Sequence, residues 1–162
     1  MRILKKLLCL GLCACILALT ACGSKESPPS AHYEAVLDTL VAAVKLHDTP
    51  SYLKCFTYEA REDYASSENY NRDLTETLAK VEDGKEFKLV YLTLEHNELD
   101  SSGIAKLKSD YAEKYSKRID IMKAYQLKVE FSSGDKTSEK MLTVFYNGIT
   151  WLIMGDVIES FF

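Results

Sequence analysis

The spacing of apolar residues changes near residue 86, and that change limits the fold more than any motif. Up to about residue 82 apolar side chains recur at three- and four-residue steps, the repeat of helices with one buried face. From about residue 86, one helical stretch over 102–116 apart, they alternate with polar residues, the repeat of strands. Helices first and strands afterwards predict an α+β domain: N-terminal helices packed on one face of an antiparallel sheet.

The helical half begins with Tyr33 to His47, where Tyr33, Val36, Leu37, Leu40, Val41 and Val44 make one broad apolar face. Asp48-Thr49-Pro50 breaks it. Pro50 suits the first turn of a second, short helix with Thr49 as its cap, carrying Tyr52, Leu53 and Phe56. Residues 57–72 are polar and take no assignment. Tyrosines at 52, 58, 64 and 70 look periodic, but a step of six turns each well away from the last, so they make no single helical face. A third helix is expected from about Asn71 to Glu82, with Leu74, Leu78 and Val81 inward and Gly84 as its stop.

Glu86 to Leu94 reads as a first strand. Asp100-Ser101-Ser102 offers caps for an amphipathic helix over 102–116, marked by Ile104, Leu107, Tyr111 and Tyr115. A meander follows. Tyr125, Leu127, Val129 and Phe131 alternate, and Ser132 to Lys136 turns. Leu142, Val144 and Tyr146 alternate against Thr143 and Phe145. Asn147-Gly148 predicts a type I′ hairpin, after which Ile149, Trp151 and Ile153 resume the pattern. The closing Val157 to Phe162 has two readings, a tail folded onto the core or an exposed apolar patch for a partner.

The N-terminus carries a different signal. Arg2, Lys5 and Lys6 precede an uncharged run from Leu7 to Leu19. That run is shorter than the roughly 20 apolar residues of a membrane span and suits the h-region of a secretory signal peptide. The basic flank on one side only, and the Ser/Pro-rich sequel, weigh against a buried core helix. Leu19-Thr20-Ala21-Cys22 resembles the bacterial lipobox. The resemblance implies cleavage before Cys22, a lipoprotein with a diacylglyceryl thioether on the Cys22 sulfur, and a palmitate-type acyl chain on its amine. Two such chains give a stable membrane anchor where one holds only marginally. The organisation that follows is residues 1–21 as signal peptide, 22–31 as lipidated cysteine and tether, and 32–162 as a single domain.

Removing residues 1–21 leaves 17 basic residues against 24 acidic ones, a net charge of −7. That disfavours nucleic acid and anionic headgroups as partners. Of the five cysteines only Cys22 and Cys55 remain, so with Cys22 alkylated no internal disulfide forms. Cys55 lies among apolar residues and reads as a small buried thiol, not a nucleophile.

The helix Tyr33–Val44, the stretch Asp48 through Phe56 and the hairpin Tyr146-Asn147-Gly148-Ile149-Thr150-Trp151 together resemble the nuclear-transport-factor-two-like fold, also called cystatin-like. The likeness is to small lipoproteins of low-GC Gram-positive bacteria that carry such a domain, and it spans most of residues 31–158. It implies a cone-like, curved sheet closed by helices, with the 102–116 helix as an extra element between the first strand and the meander. It also implies an outer-face, membrane-anchored location and a non-catalytic role, binding a small apolar ligand, a peptide or an envelope protein.

In enzymes of that fold a carboxylate or histidine among tyrosines moves protons, so an isomerase or dehydratase using the cone is the alternative. No inward acid stands out for it; Asp38 reads as solvent-facing. The pocket candidates are Tyr91, Tyr125, Tyr146 and Trp151, each of which has a plain core reading as well. No cofactor is implied. Glu95 to Asp100 gathers possible metal ligands without motif spacing, and a strand-to-helix loop explains it, so no metal site is assigned. His32 and His47 read as surface residues.

Overall fold

A computed structural model describes residues 32–80 and 87–162. The signal-peptide, lipobox and tether readings, and the inward Val81 and stop Gly84, lie outside the described residues. Residues 32–162 form one compact unit.

Helix α1 (Glu34–Lys45) buries Val36, Leu37, Leu40, Val41, Ala43 and Val44 and leaves Asp38 and Lys45 in solvent. It ends in a paired hydrogen-bonded cap: His47 N–H donates to the Val44 carbonyl at 3.2 Å and Asp48 N–H to Ala43 at 2.8 Å. This double closure requires left-handed backbone at the residue between, and His47 supplies it with φ 55°.

Helix α2 (Thr49–Leu53) has Pro50 in its first turn, as its sequence predicts, but its cap is Asp48. The Asp48 carboxylate accepts from Ser51 N–H at 3.1 Å, whereas Thr49 is buried and pairs with Thr75 at 2.8 Å between hydroxyls. The residue with the extended oxygen already outside the helix wins the cap; Thr49 serves tertiary packing instead.

The unassigned stretch contains a helix, α3 (Tyr58–Ser66). Thr57 caps it, its hydroxyl accepting from Ala60 N–H at 3.3 Å. Its apolar stripe is only Ala60 and Tyr64, too thin to register as a period. The tyrosine series sorts by burial: Tyr52 and Tyr64 enter the core while Tyr58 and Tyr70 are exposed. Helix α4 (Leu74–Leu78) is shorter than its pattern predicts and buries Leu74, Thr75 and Leu78. Thr75 N–H also donates to Thr49 Oγ1, tying α4 to α2.

The sheet has four antiparallel strands in the order β1-β2-β3-β4: β1 (Val90–Glu98), β2 (Lys123–Ser133), β3 (Lys136–Tyr146) and β4 (Trp151–Met154). The first strand runs later than expected, through Glu98, so Glu95 to Glu98 are strand and not loop. A register shift between Thr93 and Glu95 makes Leu94 an extra residue, which masks the alternation in sequence. The β2–β3 turn is tight: Ser133 pairs with Lys136, and Gly134 takes φ 63°, the glycine-first pattern of a II′ turn.

The Asn147-Gly148 hairpin is real but its turn differs from type I′, which needs positive φ at both residues. Only Gly148 has it, at 95°. The Asn147 side-chain oxygen accepts from Ile149 and Thr150 N–H at 2.9 and 2.8 Å, widening the connection to four residues before Trp151 pairs with Tyr146. Ile149 is therefore not part of the alternation; it is 83% exposed on the loop.

Helices do not sit on one face only. Leu127, Val129, Phe131, Val144, Trp151 and Ile153 meet α1–α4 in the main core. On the opposite face Ala124 and Phe145, with Ile121, form a second cluster against Leu99, Ile104 and Leu107. The last two belong to α5 (Ser101–Tyr115), which Asp100 caps through Gly103 N–H at 2.8 Å. The extra helix thus covers the back of the sheet. The C-terminal tail folds onto the core: Phe161 is buried against Phe131 with ring centroids 4.7 Å apart, and the Ile158 carbonyl accepts from Tyr52 hydroxyl at 2.8 Å.

Candidate functional site

The four sequence candidates all lie on the face of the sheet that meets α1–α4, because β1, β2, β3 and β4 alternate in register. Three of them gather. Tyr125 and Trp151 have ring centroids 5.9 Å apart, and Tyr146 lies 5.5 Å from Trp151. Two residues not predicted join them: Tyr33 of the α1 approach, 5.0 Å from Tyr125, and His96 of β1, 5.8 Å from Tyr33. The rings pack on one another at tilted angles, and Trp151 is only 4% exposed. This end of the helix–sheet space is occupied by the protein's own aromatics.

Tyr91 stands apart from that stack. Its hydroxyl donates to Asp38 Oδ1 at 2.8 Å, linking β1 to α1. Burial first, and then the Asp38 carboxylate that accepts its proton, raise the Tyr91 pKa. A neutral tyrosine hydroxyl on an exposed carboxylate is a clasp between elements. The acids of the 95–100 run are spread by strand geometry. Glu98 accepts from Tyr125 hydroxyl at 3.2 Å and lies 3.4 Å from Lys123, while Asp100 caps α5. Among the described residues no group of three or more His, Cys, Asp or Glu is placed to hold a metal ion. Cys55 is buried and free, and burial pushes its thiol up to about 12.

A concave site does exist, in a place the sequence did not indicate. Beside the β4 edge an open groove of about 680 Å³ runs between the start of α3, the segment after α5 and the β3–β4 loop. Ile119 and Leu152 give its exposed apolar lining, above the fully buried Phe56 and Phe145; Lys54, Arg61 and Arg118 supply cations, and Glu59 and Asp120 supply acids. Its rim carries two exposed apolar side chains, Tyr58 and Ile149.

Three local structures build this groove. The Thr57 cap starts α3 here, and the Ile153 N–H donating to the Cys55 carbonyl at 2.7 Å holds the 55–56 segment to β4. Tyr111 of α5 reaches across, its hydroxyl donating to Glu59 Oε2. Burial and then that carboxylate raise the Tyr111 pKa, so the bridge is a neutral phenol on a carboxylate. The side-chain turn of Asn147 then projects Ile149 over the third side.

None of these residues was a site candidate. They come from three stretches, 54–61, 111–120 and 145–152, with no shared motif, and only chain folding brings them together.

No protein-family model matches the chain, and neither a curated protein nor a solved structure shows significant similarity to it.

Proposed function

We propose that this chain is a lipid-anchored, extracytoplasmic, non-catalytic binding domain, built on a nuclear-transport-factor-two-like cone, which takes its ligand in the groove beside β4. One contrast carries the reading: Tyr33, Tyr125, Tyr146 and Trp151 pack on one another within the helix–sheet space, while the groove outside is open and of ligand size. The order of helices, sheet and extra helix supports the cone reading. The isomerase or dehydratase alternative needs an inward acid among open tyrosines. Its nearest candidate, Asp38, is exposed and already accepts from Tyr91.

Two experiments test the proposal. With Cys22→Ala, lipid label and membrane association are lost; normal labelling of that variant would remove the anchor. Small molecules retained by the natively purified protein are then identified by mass spectrometry. A ligand lost in Ile149→Asp and kept in Tyr91→Phe supports the groove; the reverse pattern refutes it.

A second reading rests on β1, an edge strand of nine residues whose Val90, Leu92 and Leu94 are all exposed. Such an edge suits protein–protein pairing. Sedimentation as a clean monomer at high concentration would count against self-association through it.

A further inference from the structure

Resting on the groove as the binding site, we propose that its ligand is a small organic anion: an apolar body that ends in a carboxylate or phosphate. The charge pattern carries this. The chain has 24 acidic and 20 basic residues, yet the groove lining reverses the balance, with three cations against two acids. Glu59 accepts from the neutral Tyr111 hydroxyl and keeps its charge, so the lining is net positive by one.

The cations, in contrast, make no ion pair with a described carboxylate. Of the three arginines among the described residues, Arg72 lies 3.7 Å from Asp73 in an ion pair, and the other two line the groove. Elsewhere Lys106, Lys114, Lys123 and Lys128 sit within 4 Å of carboxylates. Among the described residues none lies within ion-pairing distance of Lys54, Arg61 or Arg118.

Arg61 is also positioned in advance. Its Nε donates to the Thr57 carbonyl at 3.4 Å and its guanidinium lies 5.6 Å from the Tyr58 ring centroid. This cation–π contact and the Nε bond orient the guanidinium while leaving its terminal nitrogens for an oxyanion, the geometry arginine matches with two parallel hydrogen bonds. Ile119 and Leu152, both part-exposed, then meet the apolar body, and Ile149 covers it from the loop. The volume suits a small molecule.

The test is a titration of the full chain carrying Cys22→Ala, followed by backbone amide shifts. The probes are 4-phenylbutyrate, phenyl phosphate, 4-phenylbutanol and 4-phenylbutylammonium. One or both anions are expected to move the amides of Thr57, Ile119 and Ile149, and to bind about tenfold more tightly than the alcohol. Which anion binds identifies the end group. Arg61→Gln with Arg118→Gln is expected to erase that preference while amides outside the groove keep their positions; Arg118→Lys retains part of it. Equal binding of the alcohol or the ammonium probe at the same amides overturns the anion inference but leaves the groove as a binding site. If no probe moves groove amides at millimolar concentration, both readings fall.

Discussion

His47 adopts left-handed backbone because the double cap at the end of α1 demands it, although a Cβ there meets the following carbonyl. Replacing it with glycine removes that strain. His47→Gly is expected to raise stability by about 1 kcal/mol in a denaturant titration, with unchanged slope. The increase is reduced by glycine's larger unfolded-state entropy, so a clear loss would mean that the His47 ring has a packing role. Cys55 gives a second prediction at this scale. Burial raises its thiol from 9.0 to about 12, so the unfolded chain loses this proton first as pH rises. The contribution to stability is complete below the lower value and declines between the two. Peptide mapping after treatment with a thiol reagent at neutral pH should find Cys55 unlabelled in the folded protein and labelled once it is unfolded. Fast labelling of the native state would place the thiol at the surface. The burial of Cys55 is legible in the sequence, where Leu53 and Phe56 nearby are apolar. The left-handed turn at His47 is not, because neither glycine nor asparagine marks it.

Helix α3 illustrates what decides an element when hydrophobic period does not. Its interior apolar residues are few, and it is held by the Thr57 cap and by Tyr64, whose hydroxyl accepts from Asn71 N–H at 3.0 Å. Thr57→Ala should cost about 1 kcal/mol by loss of the cap. Hydrogen exchange should quicken at Ala60 and Arg61 first; uniform exchange across the molecule would show that the cap acts globally. Because α3 forms one wall of the groove, the same variant should weaken ligand capture. The broad stripe of α1 and the alternation of β2 and β3 were legible, since each buries a full face. β1 was displaced in the sequence reading by the extra residue Leu94, and the I′ turn by the side chain of Asn147, which satisfies two backbone donors itself. Both are hydrogen-bond choices made locally but between states that sequence spacing does not separate.

For the molecule as a whole, the tail closes the main core. Phe161 is 2% exposed against Phe131, whereas neighbouring Phe162 is 43% exposed. Phe161→Ala is expected to cost about 3 kcal/mol, the range of large-to-small core changes, and Phe162→Ala less than about 0.5 kcal/mol. Equal small effects in thermal or chemical unfolding would show that the tail is not part of the core. Sequence by itself determined that helices precede an antiparallel meander, which faces of α1, β2 and β3 turn inward, and that Cys55 is a core thiol. Those properties follow from burial, which depends on the local period of apolar side chains. Only the tertiary structure decided that α5 covers the back of the sheet, that Tyr33 and His96 join Tyr125 and Trp151, and that Arg61 and Arg118 line one groove. Those outcomes depend on which distant surfaces meet, and nothing in the spacing of residues along a chain encodes that directly.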